Sequence, residues 1–174
     1  VGTAGGVARL QGTRFQTASG TEADGERTSV RAVFEDREGN LWLGTSNGLV
    51  RLHDDLFTVY GKPEGLPSNE PNAVHQDSVG RIWIGFLDGG LVLFSGGKQP
   101  ANTPGGGVFT IRESRSGELL IAGRDGLTRY SGGRFRTFVP PDPLGRKSVY
   151  DVAADSAGRI WLALPSGLGV LEGD

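Results

Sequence analysis

The sequence contains no cysteine and only two histidines, His53 and His75, among its 174 residues. Without cysteine the chain cannot form a disulfide framework, a thiolate metal site or a cysteine nucleophile. Neither histidine recurs in a repeated pattern, and no second histidine is placed to complete a metal site with either one. We therefore predict no catalytic constellation, no metal site and no cofactor.

The chain also lacks an excess of charge of either sign and lacks long hydrophobic runs. It carries 18 basic and 20 acidic residues, for a net charge of −2. A balanced charge gives no electrostatic attraction to a nucleic acid backbone or to an anionic membrane surface. No stretch approaches the roughly 18 consecutive apolar residues of a membrane-spanning helix. We predict neither a nucleic acid partner nor direct membrane contact.

What the sequence has instead is glycine, 30 residues of it, placed in a repeated pattern. The turn glycines Gly39, Gly80, Gly117 and Gly158 recur with a period of roughly 40 residues, each inside a run of similar sequence. The four runs are 36–45, 77–85, 114–123 and 155–163, and each leads into a Gly-Leu pair. Short apolar strands between glycine-rich turns at this period predict an all-β β-propeller with about four blades of four-stranded antiparallel sheets.

One repeat is long enough for four strands, which the pattern places at 30–35, 41–45, 48–53 and 57–60. The first two are joined by an Asp-x-x-Gly hairpin, in which the aspartate bonds backbone N–H groups and glycine adopts the left-handed conformation. Extended over the chain, the repeat divides a single propeller segment, 1–174, into a partial blade 1–29, blades 30–71, 72–107 and 108–147, and a partial blade 148–174.

Two sets of apolar residues are predicted to form the core. The second strand of each repeat is apolar at consecutive positions, which indicates burial on both faces between neighbouring blades. We therefore interpret Trp42, Trp83 and Trp161 as packing residues and not as ligand platforms. A β-branched residue on each first strand should form a buried inner ring: Val33, Val74, Ile111 and Val152. The third repeat carries Ser114 and Leu120 in place of aspartate and tryptophan, and we expect its blade to be the least well specified.

The run from Val30 to Leu49 resembles the two-component regulator propeller repeat, and the resemblance extends over essentially the whole chain. That family builds the extracytoplasmic sensor regions of bacterial histidine kinases, hybrid two-component systems and diguanylate cyclases. The resemblance therefore implies a non-enzymatic, periplasmic or extracellular sensor module with a downstream signalling domain in the same longer chain. Lyase-type propeller repeats share the Asp-x-x-Gly-x-Ile/Leu-Trp run, so a lyase or lactonase enzyme and a protein-interaction propeller remain alternatives.

The two ends of the sequence match different parts of the repeat. Residues 1–10 align with residues 43–52, so we expect the chain to begin inside a blade and to be a segment of a larger propeller. Open sheet edges would otherwise invite pairing with another copy. A homodimer that pools its repeats into one ring is the alternative.

The repeat also predicts where a ligand would bind. The Asp-x-x-Gly turns leave little room for variation on one face, whereas the opposite face carries the second-to-third loops and the connections between blades. Variable loops on a rigid scaffold are the usual place for binding residues. We expect Phe109 to face the same central funnel of the propeller as seven polar residues, which are predicted to bind a small polar molecule or an oligosaccharide: Arg31, Asn47, Asn72, Asp88, Arg124, Asp125 and Tyr150.

Overall fold

The computed structural model of the chain describes residues 2–3, 6–11, 14–17, 29–53, 56–94, 106–141 and 146–172. The strands in the first part are β1 (Gly2–Thr3), β2 (Gly6–Gln11), β3 (Arg14–Thr17), β4 (Val30–Glu35), β5 (Leu41–Thr45), β6 (Gly48–His53), β7 (Leu56–Tyr60), β8 (Pro71–Gln76), β9 (Ile82–Phe86) and β10 (Gly90–Phe94). The later strands are β11 (Val108–Glu113), β12 (Leu119–Gly123), β13 (Gly126–Ser131), β14 (Arg134–Phe138), β15 (Asp151–Ala154), β16 (Ile160–Leu164) and β17 (Gly167–Leu171).

These strands form five antiparallel sheets in which neighbours in sequence pair. Sheet 1 is β1–β3, sheet 2 is β4–β7, sheet 3 is β8–β10, sheet 4 is β11–β14 and sheet 5 is β15–β17. Within the described residues the only helical segment is a 3-10 turn at Lys62–Glu64. The all-β propeller prediction is confirmed, with three or four strands in each described sheet. Residues 95–105, which hold most of the stretch where the repeat would place a fourth strand of sheet 3, fall outside the described residues.

Inside sheet 2 the strand bounds follow the repeat closely. The first three strands begin and end where the pattern places them, and the fourth begins one residue earlier than predicted, at Leu56. The hairpin between the first two strands closes at Gly39, whose φ of 82° is left-handed. Glycine adopts this conformation without the steric cost that a Cβ imposes, which explains the recurring turn glycine.

The turn aspartate does more than cap the hairpin. Asp36 accepts a hydrogen bond from the Asn40 N–H at 2.7 Å and another from Trp42 Nε1 at 2.7 Å. Asp77 accepts from Trp83 Nε1 at 2.8 Å, and Asp155 accepts from Trp161 Nε1 at 3.0 Å. The aspartate and the tryptophan six residues later are therefore one structural unit, which holds the second strand against the turn.

Sheet 4 replaces both members of that unit together. Ser114 Oγ still accepts from the Glu118 N–H at 3.2 Å, so the turn keeps its cap. Leu120 has no side-chain N–H to donate, and its side chain is fully buried. Sheet 4 nevertheless has all four strands, because a buried leucine makes no demand for a hydrogen-bond acceptor.

The core consists of interfaces between successive sheets. One face of each sheet packs against the opposite face of the next, and the residues between sheets 2 and 5 fall into three clusters, with a fourth cluster around Val30 and Leu43 of sheet 2. Sheet 2 meets sheet 3 through Trp42, Leu49, Ile84 and Phe86; sheet 3 meets sheet 4 through Trp83, Leu91, Ile111 and Ile121; sheet 4 meets sheet 5 through Leu120, Leu127, Val152 and Leu162. Trp42 and Trp83 are only 5% and 1% exposed, which confirms their packing role.

The inner ring of β-branched residues is only partly formed. Ile111 and Val152 are 2% exposed and Val74 is half-buried, but Val33 is 40% exposed, so its predicted burial is wrong. Val74, Ile111 and Val152 each face a preceding sheet that covers them. Val33 shares a face with Leu43, and the part of sheet 1 that approaches this face lies against Val30 instead. Packing of the neighbouring blade, and not residue type, decides burial at this position.

We expect the free energy of unfolding to fall as the pH is lowered below about 4. Burial by itself raises the pKa of Asp77, but hydrogen bonds from Trp83 and Arg81 outweigh burial, so the pKa lies below its ordinary value. The bond from Trp161 likewise lowers the pKa of Asp155. A carboxylate with a lowered pKa stabilises the fold above its unfolded-state pKa, and this contribution is lost as pH falls through the folded-state pKa.

Urea unfolding between about pH 7 and pH 3 measures this dependence. Asp77→Asn should be less stable at neutral pH and should show a shallower loss of stability on acidification. Asp88→Asn removes a carboxylate whose side chain is 83% exposed and is the matched control. Equal pH profiles for the two variants would contradict the assignment.

Candidate ligand-binding face

A β-bulge lies at the start of the first strand in three successive sheets. The register shifts between Val30 and Ala32, between Pro71 and Ala73, and between Val108 and Thr110, leaving one unpaired residue in each case. The unpaired residues are Arg31, Asn72 and Phe109, and Tyr150 takes the equivalent position before β15. A bulge bends the strand and redirects the extra side chain. These are the four residues that the sequence predicts to line the funnel.

Three of these residues contact one another across neighbouring sheets. Asn72 Nδ2 donates to the Phe109 carbonyl at 2.9 Å. The Phe109 and Tyr150 rings lie 5.8 Å apart at 51°. Arg31 Nη1 pairs with Glu70 Oε2, directly before β8 of the next sheet, at 2.7 Å. Asn72, Phe109 and Tyr150 therefore form a continuous wall across sheets 3 to 5, Arg31 holds the equivalent position in sheet 2, and Tyr150 is 54% exposed.

The second-to-third loops lie beside this wall. The Arg124 N–H donates to the Gly107 carbonyl at 2.9 Å, and the Val149 N–H donates to the Gly123 carbonyl at 2.9 Å. These bonds join the loop after β12 to the residues that precede β11 and β15. The loops and the bulges are consequently on one face of the propeller.

Three of the predicted loop residues come together there. Arg124 Nη1 lies 3.5 Å from Asp88 Oδ1, and Asp125 Oδ2 accepts from the Gly106 N–H at 2.6 Å. Asn47 occupies the equivalent loop of sheet 2, where its N–H donates to Thr45 Oγ1 at 3.1 Å. The Arg124 and Asp88 side chains are 54% and 83% exposed, so their ion pair contributes little stability and costs little to rearrange.

A second ion pair on this face, between the inner strands of sheets 4 and 5, was not predicted from the sequence. Arg112 Nη2 lies 3.8 Å from Asp151 Oδ1, and both side chains are more than half exposed. The pair spans sheets 4 and 5 next to the contact between Phe109 and Tyr150. The bulges, in contrast, had a signal in the sequence, because two apolar residues three positions apart, Val30 and Val33, break the alternation of a strand.

The opposite face is tied between blades. The Arg37 N–H donates to Gln76 Oε1 at 3.0 Å, and the Ser78 N–H donates to Glu113 Oε1 at 3.0 Å. Each bond links an Asp-x-x-Gly turn to the last residue of the next blade's first strand. Arg37 Nη1 also donates to the Ser78 carbonyl at 2.8 Å. This face is occupied by structural bonds and is less able to adapt to a ligand.

His75 lies between the inner strands of sheets 2 and 4. Its ring is 5.9 Å from Phe34, and its Nε2 is buried without a hydrogen-bond partner. Burial lowers the pKa of His75 below its ordinary value, and the charge of Glu113 offsets only part of this effect. The imidazole is therefore neutral near pH 7. The His53 side chain lies outside the described residues, and the part of the chain that is described holds no cluster of three metal-ligating side chains.

The repeats of this sequence are similar to those of a known protein family. The model described as two component regulator propeller matches residues 25–47 and 65–88. These two stretches of the chain are therefore similar to two-component regulator propeller repeats. A histidine kinase P4 from Formosa agariphila is 46% identical over 46 residues, which are 25% of this chain and 3% of the kinase.

Solved structures share the fold of these repeats. The extracellular domain of a hybrid two component system from B. thetaiotaomicron superposes with a TM-score of 0.84 and 21% identity, over 97% of this chain and 25% of that chain. Virginiamycin B lyase from Staphylococcus aureus superposes with a TM-score of 0.70 and 14% identity, over 97% and 63%. This chain spans about a quarter of the two-component structure. Among the described residues, no helix is long and apolar enough to cross a membrane.

Proposed function

We propose that this chain is the ligand-sensing part of an extracytoplasmic propeller in a bacterial signalling protein. The observation that carries the proposal is that equivalent positions at the start of the first strand in four successive sheets place a guanidinium, an amide and two aromatic rings on one face, with the amide and the two rings in contact. Bulges occur preferentially next to functional sites because they redirect side chains. The propeller repeats and the two-component relatives support a sensory role.

The chemistry of this face suits a small polar molecule or an oligosaccharide. The Phe109 and Tyr150 rings offer an apolar surface with a phenolic hydroxyl at its edge. The ion pairs of Arg112 with Asp151 and of Arg124 with Asp88 supply donors and acceptors on either side. Concave sites that combine apolar surface with a few polar groups are typical of small-molecule binding.

The proposed output is a signalling domain in the same longer chain. The histidine kinase and the hybrid two component system that resemble this chain are both much longer than it, which supports this arrangement. Ligand binding between blades would change how neighbouring inner strands pack, and the change would pass to that domain. A periplasmic or extracellular location follows from the same proposal, and no catalytic step is assigned to this chain.

Replacing Tyr150 or Arg124 with alanine should weaken ligand binding without unfolding the protein. Both side chains are exposed and lie outside the apolar clusters, so the stability change should stay within about 0.5 kcal/mol. Loss of an aromatic contact should reduce affinity by up to about tenfold. A panel of neutral and acidic oligosaccharides, titrated calorimetrically against each variant, measures the effect.

Arg115→Ala is the matched control, because Arg115 is exposed on an Asp-x-x-Gly-type turn of the same sheet. It should leave both the affinity and the melting temperature unchanged. The proposal fails if no saccharide of the panel binds. It also fails if Arg115→Ala weakens binding as much as Arg124→Ala, or if Arg124→Ala lowers the melting temperature by several degrees with binding unchanged.

A further inference from the structure

The outer half of sheet 4 presents three arginines on one face. Arg129 of β13 lies directly opposite Arg136 of β14, and Ser131 lies opposite Arg134. Side chains of directly opposed residues share a face of the sheet, and so do residues two apart on one strand. Arg129, Arg134 and Arg136 are therefore neighbours, far along the sheet from the bulge residue of β11.

These arginines line an open groove. Its volume is about 570 Å³, and its lining also includes Glu118, Ser131, Thr137 and Phe138. A groove of this size falls within the range that holds a small organic ligand. Phe138 also packs into the interface between sheets 4 and 5, so the floor of the groove is anchored in the core.

The charge of the groove is unbalanced. Glu118 is paired with Arg129, whose Nε lies 2.9 Å from both carboxylate oxygens and whose Nη2 lies 2.8 Å from one of them. Arg134 and Arg136 are exposed, and neither forms an ion pair among the described residues. Like charges directly opposite one another on paired strands destabilise a sheet. Glu118 already offsets the charge of Arg129, so the uncompensated positive charges of the groove are those of Arg134 and Arg136.

We propose that this arginine groove binds a polyanion, a ligand that carries two or more phosphate, sulfate or carboxylate groups. Residues two apart on a strand are about 6.8 Å apart, so Arg134 and Arg136 can contact separate anionic groups of one ligand. Arg129 adds a third guanidinium beside Arg136, already oriented by Glu118. Guanidinium groups bind such oxyanions through paired hydrogen bonds, and Ser131 adds a hydroxyl donor.

Calorimetric titration of the chain with tripolyphosphate, with a sulfated heparin hexasaccharide and with citrate tests the site. At least one probe should bind saturably at low salt, and its affinity should fall as salt rises from about 50 to 300 mM. The best probe identifies the anionic group. The double variant Arg134→Ser with Arg136→Ser should lower the affinity for that probe by about tenfold or more, because both unpaired guanidiniums are removed.

Lys62→Ser with Arg115→Ser is the matched control, since it removes two exposed positive charges elsewhere on the chain. This control should change the affinity by less than about twofold. Near-ultraviolet circular dichroism shows that each variant is folded, and Arg134→Gln with Arg136→Gln serves if the serine variant is not. Absence of saturable binding by all three probes overturns the proposal. An equal loss in the control also overturns it, because attraction would then be unspecific.

Discussion

Replacing Trp83 with alanine is expected to lower the free energy of unfolding by about 3–5 kcal/mol. Trp83 is 1% exposed and lies in the interface between sheets 3 and 4, with its ring 5.0 Å from Tyr130. The substitution would remove this packing, leave a cavity between two blades and deprive Asp77 of a hydrogen bond. Denaturant unfolding, followed by circular dichroism and extrapolated to water, measures the loss.

Trp161→Ala is the internal comparison for this prediction. Trp161 occupies the equivalent position in sheet 5, but it is only half-buried and shares its face with the exposed Leu168 and Val170. Its loss should therefore cost clearly less than that of Trp83. Equal costs would show that the interface between sheets 3 and 4 is not the source of the effect. If Trp83→Ala does not fold, Trp83→Phe gives a measurable partial loss.

Asp77→Ser and Trp83→Leu together are expected to destabilise the protein by about 1–3 kcal/mol less than the sum of the two single changes. Asp77→Ser alone leaves the buried Trp83 Nε1 without its acceptor. Trp83→Leu alone leaves the buried carboxylate of Asp77 with one donor fewer. The double variant has the combination found in sheet 4, where Ser114 and Leu120 occur with neither group unsatisfied.

A double-mutant cycle of unfolding free energies measures this coupling. The same cycle at Asp155 and Trp161 is the control, and its coupling should be smaller because those groups are more accessible to water. Additive single effects at Asp77 and Trp83, within about 0.5 kcal/mol, would contradict a shared structural unit. A coupling of the expected size would explain why sheet 4 changes both residues and keeps its strands.

The strands were predictable because each depends on local sequence that the chain repeats. Asp36 and Gly39 determine a hairpin through contacts within four residues, and the apolar run at Leu41–Leu43 follows immediately. Four similar runs place the same hairpin four times. The role of Trp83 as packing also followed from this pattern, since a strand that is apolar on both faces must be covered on both.

The bond between Asp77 and Trp83 was less accessible to sequence reasoning. Both residues recur visibly in the repeats, but the pattern alone assigns the aspartate to the turn and the tryptophan to the core. Their joint replacement by Ser114 and Leu120 was the signal that connects them. The predicted burial of Val33 is wrong for a related reason, since a residue's own strand does not reveal whether the preceding blade covers it.

By itself, the sequence determined the propeller fold, the strand bounds within the repeat and the face that carries the variable loops, because all of these depend on local turn chemistry and period. Only the tertiary structure decided which side chains meet. The bulge that turns Phe109 toward Tyr150 and the register that sets Arg129 opposite Arg136 arise from strand pairing. Strand pairing depends on residues that are distant in the chain, so the sequence alone does not determine the register to within one residue. A shift of one residue moves every side chain to the other face of the sheet, and the register therefore decides which residues form both proposed sites.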